Sequence, residues 1–171
     1  MLSTYIFWAS ALLLVYLYAG YPILIHLWAR LRPRHSIARD IQPRISILVV
    51  AHNEGHRLAR RLENLLALEY PVDRVDVLVG SDGSNDGTDA LSRGFRHPRL
   101  RIFNFPTRRG KAAVLNDLVK EARGEILVMA DARQRFATDA IAKLVRHFAD
   151  PAVGAVSGEL VLTRNVKGTA V

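Results

Sequence analysis

At 171 residues the chain can bury one core of ordinary domain size, and with no cysteine it can hold neither a disulfide framework nor a thiolate metal site. Its net charge of +8 invites a nucleic-acid reading, but the charge is local: Arg30, Arg32, Arg34, Arg39 and Arg44 stand against Asp40 alone, so +4 of the +8 follows directly on an apolar N-terminal block. Placed there, the cluster is a topology signal, and binding to nucleic acid is not expected.

From Leu2 to Ala29 there is no Asp, Glu, Lys or Arg, and Tyr5 to Trp28 is almost wholly aliphatic or aromatic. At about 1.5 Å of rise per residue, roughly 24 helical residues reach about 36 Å, enough to cross a hydrocarbon core of about 30 Å with some tilt. The pattern predicts one transmembrane helix over residues 1–29, with Tyr5, Trp8 and Trp28 at the interfaces and an irregularity near Gly20 and Pro22. A cleaved signal peptide fits less well, because no Lys or Arg precedes the apolar run. Residues 30–43, basic and with Pro33 and Pro43 as brackets, read as a juxtamembrane linker that stays on the cytoplasmic side, and the soluble domain is expected over 44–171.

Beyond the linker the pattern alternates. Ile45–Ala51 is a continuous β-branched run, the mark of a strand covered on both faces. Leu58, Leu62, Leu65 and Leu66 recur at helical spacing until Pro71, and Val75–Val79 is a second strand. Thr88 can cap a helix toward Arg96, and Leu100–Phe105 reads as a third strand. Lys111–Ala122 carries Val114, Leu115, Leu118 and Val119 on one face, with Gly124 as the stop. Glu125–Ala130 is a fourth buried strand, Ile141, Leu144, Val145 and Phe148 define a further helix, and Val153–Thr163 reads as one or two more strands. Such alternation predicts an α/β fold: a mostly parallel sheet with helices on both faces, whose ligands bind beyond the carboxyl ends of the strands.

Three polar clusters fall at that edge: His52-Asn53-Glu54, Ser81 to Thr88, and Asp131-Ala132-Arg133. Each has an ordinary alternative. Asp82 in SDGSNDG can cap its own turn, and Asp131 can cap the segment after its strand, although a carboxylate ending an apolar strand also suits a hard cation bridging to a diphosphate. Arg108, Arg109 and Lys111 around Gly110 can meet phosphate at a helix start, or simply be solvated. His52 and His56 do not form the H-E-x-x-H order of a zinc hydrolase, and no serine-hydrolase elbow, P-loop or dinucleotide glycine motif appears.

Taken in order, ISILVVAHNE, SDGSNDGT, RRGKAAVLN and ILVMADAR resemble the motifs of the processive, membrane-bound family 2 glycosyltransferases, the group of cellulose, hyaluronan and poly-N-acetylglucosamine synthases; the resemblance covers roughly Arg44 to Thr163. It implies a GT-A type, Rossmann-like fold that binds a nucleotide-diphosphate sugar, a UDP-sugar in the first instance, and passes the sugar to a glycan or lipid-linked acceptor at the plasma (inner) membrane of a bacterium. By the same resemblance Ala51, His52, Asn53 and Glu54 line the nucleotide pocket and Asp82 meets the base or ribose. Lys111 and Asn116 shape the site, and Asp131 holds Mg2+ or Mn2+ at the pyrophosphate.

Two departures stand out. Ser81-Asp82 replaces a paired Asp-Asp, and Asp131-Ala132-Arg133 replaces Asp-x-Asp, so either Asp131 works alone with the diphosphate or Arg133 takes over part of the cation's role. The acceptor half, with its general-base aspartate, is expected beyond Val171, and the chain reads as the donor-binding half of an enzyme. A catalytically inactive binding or assembly subunit is the alternative.

Overall fold

The computed structural model describes residues 1–33, 37–88, 94, 95 and 97–161, and the chain divides into two compact units after Ser36. In the first unit, helix α1 runs over Leu2–Leu31, 30 residues with none buried. It is α-helical except at Tyr16–Gly20, where one π turn occurs. Pro22 has no N–H for the i→i−4 ladder, and the widened turn just before it absorbs the mismatch.

The second unit is built on a four-stranded, wholly parallel sheet of order β3-β2-β1-β4: β1 Ile45–Ala51, β2 Val75–Asp82, β3 Leu100–Phe105 and β4 Ile126–Asp131. Strand β1 is central and buried along nearly its whole length, which is why its sequence is continuously apolar rather than alternating. Ile45, Ile47 and Val49 face a core completed by Leu58, Leu62 and Leu65 of α2 (Gly55–Leu66) and by Ile141 and Val145 of α4 (Ala140–Val145). On the opposite face Leu48 and Leu78 meet Val114 and Leu118 of α3 (Lys111–Glu121). Each fully buried Leu, Ile or Val contributes about 1.5–3 kcal/mol.

The expected strands and helices occur where described, with β2 running on to Asp82 and β4 to Asp131. Of the helix expected from Thr88 toward Arg96 only Thr88, Gly94 and Phe95 are described; the rest lies outside the described residues. Three expectations need correction. Strand β4, expected to be buried, lies at the edge of the sheet with Leu127 and Met129 exposed. Gly124 does not end α3, which stops at Glu121 with Ala122 already extended. Its smallness serves packing: a Cβ there would collide with the backbone of Ile45 and Ser46, where β1 begins. Residues 153–161, expected as strand, are irregular, with Leu160 and Val161 exposed. An apolar run becomes a strand only when a neighbour accepts its ladder, and no described strand pairs with it.

Because all four strands are parallel, their carboxyl ends share one edge. The order reverses at the β1/β4 seam, where strands remote in sequence become neighbours. That seam is where sheets of this class bind ligands.

Candidate functional site at the carboxyl edge of the sheet

Strand β1 delivers the first loop. Ala51, buried, pairs in register with Ser81, and the chain then turns through Asn53 at φ 53°, a left-handed conformation that Asn tolerates. That turn joins the β1 loop to the β2 loop. The Asn53 N–H donates to Ser84 Oγ at 3.2 Å, and the Asn85 N–H to Asn53 Oδ1 at 2.9 Å. His52 Nδ1 lies 2.6 Å from the Asp82 carbonyl oxygen. A carbonyl only accepts, so this nitrogen carries the proton. At the start of α2, the N–H of Glu54 donates to Thr88 Oγ1 and that of Gly55 to Asp86 Oδ2. Asp86 also accepts from the Thr88 N–H and hydroxyl, and the hydroxyl leads the effects that hold its pKa below the usual range. It is therefore a cap for α2 supplied from another loop.

Asp82 ends β2 with 2% of its surface exposed. Its carboxylate accepts the N–H of Arg109 at 2.6 Å and of Gly110 at 2.8 Å, which clamps the basic loop that leads into α3. Gly83 lets the loop come close: its φ is 61°, and a Cβ would run into the backbone of Thr107 and Arg108. Arg109 is drawn along α3 to Asp117 at 2.8 Å, while Lys111, the first residue of α3, reaches the β4 loop.

Asp131 stands at the end of β4 with its side chain 45% exposed. Its Oδ1 accepts the Arg133 N–H at 3.1 Å, and its Oδ2 is 3.5 Å from Lys111 Nζ. Burial raises its pKa, but the Arg133 amide and the Lys111 charge outweigh it, so the net direction is downward. Across the seam Glu54, 6% exposed, is held by two arginines: Arg133 Nε at 2.7 Å and Arg57 Nη1 at 3.0 Å. Burial pushes the Glu54 carboxyl up, and Arg133 and Arg57 more than reverse it, leaving its pKa low. Arg133 does not sit against Asp131 through its side chain; its guanidinium ties the β4 loop to the β1 loop.

Ala51, His52, Asn53, Glu54, Asp82, Lys111 and Asp131 thus meet at one edge. Asn116 is exposed in the middle of α3, with no hydrogen bond to that set among the described residues. Sequence reasoning missed Asp86, Thr88 and Ser84 as loop ties, and it missed Arg61. Arg61 is 2% exposed, donates from Nη1 to Asn64 Oδ1 at 2.8 Å, and lies 4.2 Å from the Phe136 ring centroid. Its Nε and Nη2 have no partner among the described residues, and burial pushes its pKa down to about 10 against the pull of Asp131. Asn64 bonds both the N–H and the carbonyl of Phe136, so this pair pins the loop after β4. A signal was available, since position 61 falls in the apolar stripe of Leu58, Leu62 and Leu65.

Among the described residues no three His, Asp or Glu side chains converge to hold a metal ion. Asp131 offers one hard oxygen ligand, which fits a cation of the Mg2+ or Mn2+ type completed by substrate phosphates and water.

A parallel α/β unit with its polar loops at the carboxyl edge is common to open α/β folds, and the solved likenesses make this one the GT-A type. A mannosyltransferase from Pyrobaculum calidifontis, solved in complex with GDP-Man and Mn2+, is 33% identical and superposes with a TM-score of 0.73 over 85% of this chain and 45% of its own. S. aureus TarS (residues 1–349) with UDP-GlcNAc shares the fold, at a TM-score of 0.54 over 60% of this chain and 30% of its own, with 22% identity. The glycosyl transferase family 2 model matches residues 46–169, and the chain belongs to that family. Similar proteins include the beta-monoglucosyldiacylglycerol synthase of Nostoc sp., 33% identical over 73% of this chain and 28% of that protein. The poly-beta-1,6-N-acetyl-D-glucosamine synthase of Staphylococcus epidermidis is 31% identical over 67% of this chain and 28% of its own. The chain therefore spans a little over a quarter of the length of each of these two relatives.

Proposed function

We propose that this chain is the donor-binding part of a membrane-anchored glycosyltransferase that takes a sugar from a nucleotide-diphosphate donor. The observation that carries the reading is the meeting of three loops, from β1, β2 and β4, at the β1/β4 seam, with Lys111 held only loosely to Asp131 at 3.5 Å. A loose, exposed pair of this kind contributes at most about 1 kcal/mol and yields readily to a ligand.

In this reading Ala51, His52, Asn53 and Glu54 form the nucleotide wall, Asp82 sets the basic loop beside it, and Lys111 faces the diphosphate. Asp131 is the residue that would hold Mg2+ or Mn2+, which neutralises charge on the departing diphosphate. The family-2 likeness to a glucosyldiacylglycerol synthase and a poly-N-acetylglucosamine synthase supports a lipid or glycan acceptor. In the transfer, the bond from the anomeric carbon to the diphosphate breaks as the acceptor oxygen bonds to that carbon, and the acceptor proton passes to a base. No residue described here is assigned as that base.

Helix α1, without a charged side chain from Leu2 to Ala29 and followed by Arg30 in its last turn and Arg32 just after it, serves as a single membrane span, with the second unit on the cytoplasmic side. Calorimetric titration of UDP and GDP, each with Mn2+, into the folded full chain tests the donor-binding reading: submillimolar binding of one of them is expected, and no binding at millimolar ligand overturns it.

A further inference from the structure

Between Glu54 and Asp131 the seam carries a cation that the general pattern does not place. Arg133 is two residues beyond Asp131, its side chain 69% exposed, and its Nε is fixed on the buried Glu54 carboxylate at 2.7 Å. A guanidinium is a rigid fork of five N–H donors. One of them goes to Glu54, while Nη1 and Nη2 make no hydrogen bond to a described residue. The arginine is thus oriented at its inner end and open at its outer end.

Its anchor is secure. Glu54 is held independently by Arg57, one turn further along α2, at 3.0 Å, so its buried charge stays compensated if Arg133 adjusts. Across the seam Lys111, Arg133 and Arg57 stand against two carboxylates, Asp131 and Glu54, a local excess of positive charge, with no cluster of three acids among the described residues. A planar fork with two parallel donors matches two oxygens of a phosphate.

We propose that Arg133, oriented by Glu54, is a phosphate-binding residue that grips the diphosphate of the incoming nucleotide through Nη1 and Nη2. The chain then binds a nucleoside diphosphate with a reduced need for a divalent cation, Arg133 standing where a second carboxylate would have served a metal. Arg133 is here a binding residue and Glu54 its positioning residue. The inference rests on the donor-binding reading above.

The test uses the full chain in detergent micelles and compares UDP and GDP with their nucleosides, uridine and guanosine, by calorimetry, in Mn2+ and in EDTA. Wild type is expected to keep its diphosphate affinity in EDTA to within about tenfold of that in Mn2+, because charge-assisted donors remain. Arg133→Ala is expected to weaken diphosphate binding in EDTA by about tenfold or more while leaving nucleoside binding within about twofold, and Arg133→Lys to fall between. Arg133→Gln, which keeps a polar group within reach of Glu54 but has no paired outer donors, should repeat the Arg133→Ala pattern if that variant folds poorly. Unchanged diphosphate binding in these variants overturns the inference and leaves the donor-binding reading intact. Equal loss of nucleoside and diphosphate affinity also overturns it, since that marks a structural role. Absence of diphosphate binding by wild type overturns both.

Discussion

The two edges of the sheet use the same residue types to opposite ends. At the amino edge, Ser46 Oγ donates to Asp76 at 2.5 Å and accepts the N–H groups of Arg123 and Gly124. Arg101 closes that network by bonding both Asp76 at 2.6 Å and the Glu121 carbonyl, the free end of α3, at 2.7 Å. Those polar groups have found partners within the chain. The carboxyl edge is stitched as densely, yet it leaves Lys111 loosely paired, Asp131 half exposed and the outer donors of Arg133 without a described partner. A closed network stabilises the fold, and an open one at a seam is equipped to receive charge from a ligand.

Substitutions should separate the edges. The largest effect on binding is expected from Asp131→Asn, which should remove the whole gain that Mn2+ gives to nucleoside diphosphate affinity, up to about tenfold, with little change in stability. Asp82→Ala should act on both properties. It removes two charge-assisted hydrogen bonds and frees the basic loop, costing about 1–3 kcal/mol in urea unfolding and weakening nucleotide binding more than Asp86→Ala does. Ser46→Ala is the reverse case: a loss of about 1–3 kcal/mol in stability, from the amino edge alone, with nucleotide affinity unchanged. If Ser46→Ala weakens binding as much as Asp82→Ala, the division of labour fails.

Acid offers a subtler probe. Glu54 and Asp131 have folded-state pKa values below the ordinary range, because arginine, lysine and amide partners outweigh burial. Such groups favour the fold fully above the ordinary carboxylate pKa of about 4, and the contribution disappears as pH falls through the lowered values. Unfolding midpoints should therefore hold steady from about pH 7 to about pH 5 and decline below, with a shallower decline in Glu54→Gln. The smallest effect is expected at Arg61→Met. It removes two buried donors without partners among the described residues and also one hydrogen bond and a ring contact, so stability should move by no more than about 1 kcal/mol either way.

What was legible in the sequence follows from range. Strands β1 and β2 announced themselves because a strand buried on both faces reads as an unbroken apolar run; β4 reads the same although Leu127 and Met129 are exposed, and the polar loops at the three strand ends fall on one edge from the sequence alone. The pairing of Glu54 with Arg133 joins residues 79 apart, and neither position carries a local mark of the other. Gly124 looked like a helix stop because small size for chain reversal and small size for close packing leave the same letter in the sequence. Residues 153–161 misled for a related reason, since apolar content reports the wish for a partner strand and not its presence. Arg61 could have been noticed as a charge inside a leucine stripe; its hold on the loop after β4 could not, because Phe136 arrives from 75 residues away.

The most direct measurement of the central claim is hydrogen exchange of the full chain with and without saturating UDP or GDP and Mn2+. We expect added protection in residues 51–55, 82–88, 107–111 and 131–134, with the amino-edge amides of Arg123 and Gly124 unchanged. Protection concentrated at the amino edge, or no change at a concentration where calorimetry shows the nucleotide bound, would contradict it.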